Sequence, residues 1–252
     1  RLQQALARDE FVLYYQPLLH VQTGQISHYE ALLRLKNPDG TVVEPAIIID
    51  IAERAGMIDQ LTQLVIRKGV DTLARPEHAQ QDWRLSLNLS AHDLQNPELL
   101  VWVNNALQRT GVAPERLIFE ITETAAVADF VAARTMMEKI GALGCAFALD
   151  DFGVGFSSFY YLKQFDVDYI KIDGSFIQKI VTSRENQIFV QAIVQVARGL
   201  HKRIIAEFVE DGETLVWLAA VGVDYAQGYH IGRPQPHLPT LGGAGPDVDG
   251  RR

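Results

Sequence analysis

Apolar residues along the chain fall into short runs and longer periodic stretches that alternate. The first run, Phe11 to Leu19, is rich in β-formers (Phe11, Val12, Tyr14, Tyr15), and a second extends from Ile26 to Leu35. Only Val21-Gln22-Thr23-Gly24-Gln25 joins them, too short for a parallel crossover, so they pair antiparallel. After Asn37-Pro38-Asp39-Gly40 the apolar spacing predicts helices over Ala46 to Ala55, ended near Gly56, and over Asp59 to Leu73. A rhythm then sets in. Strand-like runs at Arg84–Leu89, Leu117–Ile121, Cys145–Asp150, Tyr169–Ile172, Arg203–Glu207 and Asp224–Gln227 alternate with helical stretches. The helices are expected over Pro97–Leu107, Asp129–Leu143, Ser157–Gln164, Glu185–Leu200 and Gly212–Val221. Eight strands, mostly alternating with helices in 252 residues, predict a single (β/α)8 barrel. A doubly wound open sheet is the rival, and the lack of a glycine-rich dinucleotide turn after the first strand counts against its commonest form. The start, Arg1 to Ala7, reads as a polar helix. One domain over residues 1–236 is expected, followed by a Gly/Pro-rich tail over 237–252.

Composition narrows the class. Nearly half the residues are hydrophobic (48%), enough for one large core, but no uncharged apolar run is long enough to cross a membrane. The single cysteine, Cys145, excludes an internal disulfide and a cysteine-rich zinc site, and its apolar context makes it a core residue. A reducing, cytoplasmic setting is consistent with this. A net charge of −8 argues against coating duplex nucleic acid through its phosphates. A small anionic ligand stays open if metal ions or local bases neutralise it.

The polar residues that interrupt the apolar runs carry the chemistry. In a barrel, active residues lie at the C-terminal ends of strands. The interrupting residues are Glu30 and Arg34 on the second strand, Asn88, Glu120 and Glu123, and Asp150 and Asp151 at strand ends, Lys171 on the sixth strand with Asp173 just after it, Glu207 and Glu210 ending the seventh, and Gln227 ending the eighth. Any one of them is explained by a loop beginning there, and Asp150-Asp151 alone is also explained as a solvated turn. Acids and amides at so many strand ends are harder to explain, because a buried carboxylate costs several kcal/mol unless paired or bound to a cation. Only Lys171 and Arg34 are at hand as partners, so a divalent metal, two by preference, is expected at this mouth. Carboxylates and one amide oxygen are hard ligands, which suit Mg²⁺ or Mn²⁺, with Ca²⁺ as a non-productive competitor. None of the seven histidines accompanies the acids at a strand end. His28, two residues before Glu30, is read as a core or rim group, with a supporting role behind the site as the alternative.

Taken in order, the motifs resemble the EAL domain family of bacterial cyclic di-GMP phosphodiesterases over about residues 1–236. They are Tyr15-Gln16-Pro17, Glu30-Ala31-Leu32-Leu33-Arg34, Asn88-Leu89-Ser90, Glu120-Ile121-Thr122-Glu123, Asp150 to Ser158, Lys171-Ile172-Asp173, Ala206-Glu207-Phe208-Val209-Glu210 and Gln227-Gly228-Tyr229. The resemblance implies a modified TIM barrel with an antiparallel first strand. The implied activity is hydrolysis of one phosphodiester of cyclic di-GMP to linear pGpG by a two-metal mechanism. Glu30, Asn88, Glu120 and Asp150 would hold one ion, and Asp150 and Asp151 the second. Lys171 would orient the attacking water or offset developing charge, and Glu207 would assist proton transfer. Gln227 would complete the water and ligand network. Gln16, Leu32, Arg34, Asp173 and Gln227 would contact the cyclic dinucleotide, Arg34 through phosphate. Glu123 would hold the loop after Asp151. Removing Lys171 is expected to slow the chemistry by orders of magnitude and to spare folding and ligand binding.

The resemblance further implies a homodimer through the 151–165 loop region and adjacent helices. It implies N-terminal sensory or GGDEF-type domains in the full chain, and a bacterial cytoplasmic site, with any membrane tether in other parts of the protein. The sequence departs from the family pattern at Phe208 (usually glycine), Ile48, Asp50, Val154 and Phe156. None of these removes an expected ligand. The rival functions are a receptor that binds cyclic di-GMP without hydrolysing it, and a metal-dependent barrel enzyme acting on another phosphodiester.

Overall fold

The computed structural model describes residues 2–37, 40–43, 45–154 and 162–239. A short helix, α1 (Leu2–Ala7), leads into a hairpin of β1 (Phe11–His20) and β2 (Gln25–Lys36). A two-residue strand, β3 (Val42–Val43), then pairs antiparallel with the end of β2 and precedes α2 (Pro45–Arg54) and α3 (Ile58–Leu73). The alternating part runs α4 (Pro76–Ala79), β4 (Arg84–Leu89), α5 (Ala91–Gln95), α6 (Glu98–Thr110), β5 (Leu117–Thr122), α7 (Glu123–Ala128), α8 (Phe130–Gly141) and β6 (Ala146–Phe152). It continues with β7 (Tyr169–Ile172), α9 (Gly174–Ile177), α10 (Arg184–Gly199), β8 (Arg203–Ala206), α11 (Gly212–Val221) and β9 (Tyr225–Gln227).

The sheet order β1-β9-β8-β7-β6-β5-β4-β2 closes on itself through the β1–β2 pairing. From β2 to β9 the barrel neighbours are parallel, and β1 is antiparallel to both β2 and β9. The chain is thus a modified TIM barrel with an inverted first strand, as the short first turn requires.

Two apolar layers hold it. The larger lies between the barrel wall and the helices, and residues such as Leu87, Phe119, Leu149 and Ile170 point into it. The smaller fills the barrel, with Leu18, Ile118, Ala148, Tyr169, Ile205 and Tyr225 in contact. His28 belongs with this plug: it is fully buried, and its ring packs edge-on against Tyr225 (centroids 5.1 Å) and tilted against Tyr169 (5.8 Å). Side chains alternate sides along a strand, so a residue two places from a plug residue also faces inward, one layer along the barrel. Those residues are Gln16, Glu30, Glu120, Asp150, Lys171, Glu207 and Gln227. Asn88 stands in the same relation to Ser86, which is itself fully buried.

The strands and helices expected from the pattern are present, with ends shifted by a few residues. The helical and strand additions are β3, α4, α5, α7 and α9, all too short to show a period. The helix expected over Ser157–Gln164 and the departure at Phe156 fall, apart from residues 162–164, outside the described residues, as does the tail from 240 on. Leu238 is still buried, so packing reaches slightly beyond residue 236.

Candidate active site

The inward layer meets at the C-terminal ends of the parallel strands, around Lys171. Its ammonium is 1% exposed and touches four carboxylates: Glu120 at 2.6 Å, Glu207 at 2.9 Å, Asp150 at 3.3 Å and Glu30 at 3.5 Å. They come from four different strands or strand ends, so the barrel closure itself assembles the cluster. A fifth acid, Asp151, is exposed beside them. One cation against this many acids leaves the mouth strongly negative when all are ionised.

Proton affinities reflect that imbalance. Burial, then the neighbouring Glu30 and Asp150 charges, push Glu120 up to about 8. Burial pushes Glu207 up to about 7, with Lys171 opposing. Asp151 is raised by partial burial and by Asp150 and Asp173. Lys171 is held well above its ordinary value because the four carboxylates outweigh its burial. Glu30 is the exception: burial raises it, but Lys171, Gln227 and Asn88 together bring it below the usual carboxylate range. The Gln227 Nε2 donates to Glu30 Oε2 (2.6 Å) and the Asn88 Nδ2 donates to Glu30 Oε1 (2.8 Å). Gln227 Nε2 also donates to Gln16 Oε1 (3.2 Å), and Gln16 Nε2 donates to the Gly232 carbonyl (3.2 Å).

Asp150 and Asp151 sit on an irregularity. The β6–β7 register shifts between Leu149 and Phe152, and Asp151 adopts a left-handed backbone (φ 55°). A bulge of this kind re-aims side chains. Here it lets two consecutive acids share the mouth instead of alternating to opposite faces. Asp150, Asp151 and Glu207 each offer an oxygen within 4.8 Å of the others, a spacing able to hold a cation. Glu120 Oε1 and Gln227 Oε1 are buried with no hydrogen-bond partner.

Other expected site residues are placed as follows. Arg34 is buried near the rim of β2, where its Nη1 donates to the Leu33 carbonyl (2.9 Å), and Leu32 is half-buried on the same strand. Asp173 caps α9 by accepting from the Ser175 backbone N–H (2.9 Å) and from its hydroxyl. Glu123 is buried in the first turn of α7, but most of the loop it is expected to hold lies outside the described residues. Tyr229 is not among the site residues expected from the sequence. It lines the same cavity, of about 190 Å³, as Gln16, Glu30, Glu207, Phe208 and Gln227. An aromatic directly after a strand-end amide and glycine was the available signal.

The burial of Lys171 corrects one expectation. An ammonium enclosed by four carboxylates cannot be removed at no cost to folding, because the acids are left facing one another in a poorly solvated site.

Barrel closure, the inverted first strand and an acid-lined mouth at the strand ends together define a modified TIM barrel. The chain belongs to the EAL domain family, whose model matches residues 1–234. Among curated proteins it is similar to the cyclic di-GMP phosphodiesterase PdeB of Shewanella oneidensis, with 37% identity over 94% of this chain and 28% of that one. Among solved structures it resembles the PaMucR phosphodiesterase in complex with c-di-GMP (TM-score 0.87, 35% identity, 93% of this chain and 96% of that chain). It also resembles the FimX EAL domain from Pseudomonas aeruginosa bound to c-di-GMP (TM-score 0.88, 33% identity, 95% and 97%). The chain spans roughly a third or less of the length of the curated relatives it matches.

Proposed function

We propose that this domain hydrolyses one phosphodiester bond of cyclic di-GMP to give linear pGpG, using two divalent ions, Mg²⁺ or Mn²⁺, held at the strand ends. The observation that carries the reading is the four-carboxylate shell around Lys171 with Asp151 beside it, on a fold whose relatives include named cyclic di-GMP phosphodiesterases. The donor set fits such ions. All the charged donors are hard oxygens, Asp150, Asp151 and Glu207 converge, and Glu120 Oε1 is buried without a partner. Asn88 spends its amide nitrogen on Glu30, which leaves its oxygen to meet a cation.

Glu30, Asn88, Glu120 and Asp150 would hold one ion, and Asp150 with Asp151 the other. Ions held there would supply positive charge to offset the phosphodiester and would lower the pKa of the attacking water. Glu207, whose pKa burial pushes up to about 7, accepts the proton from that water in its carboxylate form. Lys171 keeps Glu207 and Asp150 in place and offsets charge that develops on the reacting phosphate. Gln16 and Gln227 fix the ligand beside Glu30, and Arg34 meets a phosphate oxygen. Ca²⁺ supports binding without turnover.

One observation favours the receptor reading: Phe208, directly after Glu207, adopts a left-handed backbone (φ 53°) beside the proposed base. Incubating the domain with Mn²⁺ and, in separate samples, cyclic di-GMP and other cyclic dinucleotides, and resolving products by chromatography, tests the choice. Appearance of pGpG supports the enzyme. Tight binding with no product supports the receptor, and turnover of other cyclic dinucleotides alone refutes both.

The wider setting follows the relatives. Val154 (65% exposed), within the 151–165 region, and Ile188 and Phe189 on α10 are exposed apolar side chains that a homodimer would cover. Upstream sensory or GGDEF-type domains and a cytoplasmic location complete the reading. Among the described residues no helix is long and apolar enough to cross a membrane.

A further inference from the structure

Phe208 does not do what a phenylalanine usually does in a fold. The residue is 54% exposed, and its backbone lies in the left-handed region, which favours glycine. The ring rests against Gly174, in the first turn of α9, where a β-carbon would overlap it. Tyr229 faces the same cavity, is 55% exposed, and carries the Arg233 guanidinium 4.0 Å from its ring centroid. Two large aromatic rings therefore stand open at one mouth, one backed by a glycine and the other by a cation. Burial does not account for either ring, and a strained backbone kept at a mouth is characteristic of a ligand clamp.

We infer that Phe208 is a specificity-determining residue: with Tyr229 it forms an aromatic wall on which a purine base of the cyclic dinucleotide stacks. The inference rests on the cyclic di-GMP reading given above. The acids and their cations deal with the phosphodiester, and the bases need apolar faces. An exposed aromatic ring supplies one, with a preference for large π-surfaces and no discrimination between hydrogen-bonding edges. Phe208 thus selects purine over pyrimidine cyclic dinucleotides, and leaves the choice between guanine and adenine to polar groups. Gly174 is part of the device, because only a residue without a side chain lets the ring lie back and leave the mouth open.

The test is calorimetric binding to the whole domain with Ca²⁺ replacing Mg²⁺, so that ligand is held without turnover. Phe208→Leu keeps bulk and loses the π-face, Phe208→Gly removes both, and Phe208→Trp keeps the π-face. Cyclic di-GMP affinity is expected to fall about 5- to 100-fold in the leucine and glycine variants and to stay within about twofold in the tryptophan variant. Cyclic di-UMP affinity changes less than cyclic di-GMP affinity in the same variants. Gly174→Ala weakens cyclic di-GMP binding when Phe208 is present and has no further effect in Phe208→Gly, where no ring is left to displace. Melting curves confirm folding, and Phe208→Gly melts no lower than the parent because it relieves the left-handed strain. Leucine and glycine variants that bind cyclic di-GMP as tightly as the parent overturn the wall and leave the functional reading standing. A parent domain that binds no cyclic di-GMP overturns both.

Discussion

Replacing Lys171 with methionine removes the ammonium and keeps most of the volume. In the parent, four carboxylates lie 2.6–3.5 Å from a cation that is 1% exposed. Removing one partner of a buried ionic group costs about 3–5 kcal/mol, because the remaining charges keep their desolvation and lose their attraction. For a domain of this size that corresponds to a drop of about 6–20 °C in melting temperature. The loss depends on pH in a definite direction. Without the ammonium, the folded carboxyls hold protons more tightly than the same groups in the unfolded chain. The folded variant therefore binds more protons than its unfolded form, and its stability rises as pH falls. The gap to the parent is widest near pH 8 and narrows towards pH 5. Millimolar Mn²⁺ at pH 8 narrows it as well, by supplying another cation. Thermal denaturation followed by circular dichroism, across this pH range with and without Mn²⁺, measures all three effects. A methionine variant that melts within about 2 °C of the parent at pH 8, or a gap that ignores pH, would refute the reasoning.

Three other outcomes are expected. Glu30→Ala and Asp150→Ala abolish pGpG formation, and product release at a parent-like rate by either one contradicts its assignment as a metal ligand. Gly228→Ala places a β-carbon against the Val209 backbone, which cannot move aside cheaply, so it costs about 1–3 kcal/mol and displaces Gln227. Urea denaturation reads the first effect and cyclic di-GMP affinity the second. His28 is kept neutral by burial, with Arg84, Lys171 and Arg203 adding to the effect, and its pKa falls to about 3. Its contribution to stability is present in full above about pH 6.5 and is lost as pH falls towards 3, because the unfolded chain accepts a proton that the fold refuses. His28→Asn should lower proton uptake on unfolding between pH 6 and 4 by about one proton, measured from the pH dependence of denaturation.

Much of this architecture was readable from period and spacing. Apolar runs at a regular interval gave the barrel strands, and the short Val21–Gln25 turn gave the inverted first strand. The strand-end acids were legible because each interrupts an apolar run, and each lies two residues from a residue that plugs the barrel: Ile118 and Glu120, Ala148 and Asp150, Ile205 and Glu207. Less was visible where geometry is not periodic. The β6 bulge, which turns Asp151 into the same mouth as Asp150, leaves no mark in an Asp-Asp pair that also suits a solvated turn. Lys171 read as a nearby cation, and its enclosure by acids from separate strands appears only when the barrel closes. The contact between Phe208 and Gly174 joins two strand ends, and nothing local to either residue announces it. The short helices α5, α7 and α9 start at the side-chain caps Ser90, Thr122 and Asp173, and α4 starts at Pro76; all are too brief to show a helical repeat.

The central claim is that the strand-end acids hold divalent ions that serve hydrolysis of cyclic di-GMP. The most direct measurement is Mn²⁺ titration of the metal-stripped domain, with bound metal and pGpG release followed in the same samples. The account predicts two ions per chain, with turnover appearing as they bind, and neither in Asp150→Ala. Hydrolysis that persists in the stripped domain, or that survives in Asp150→Ala at the parent rate, would contradict it.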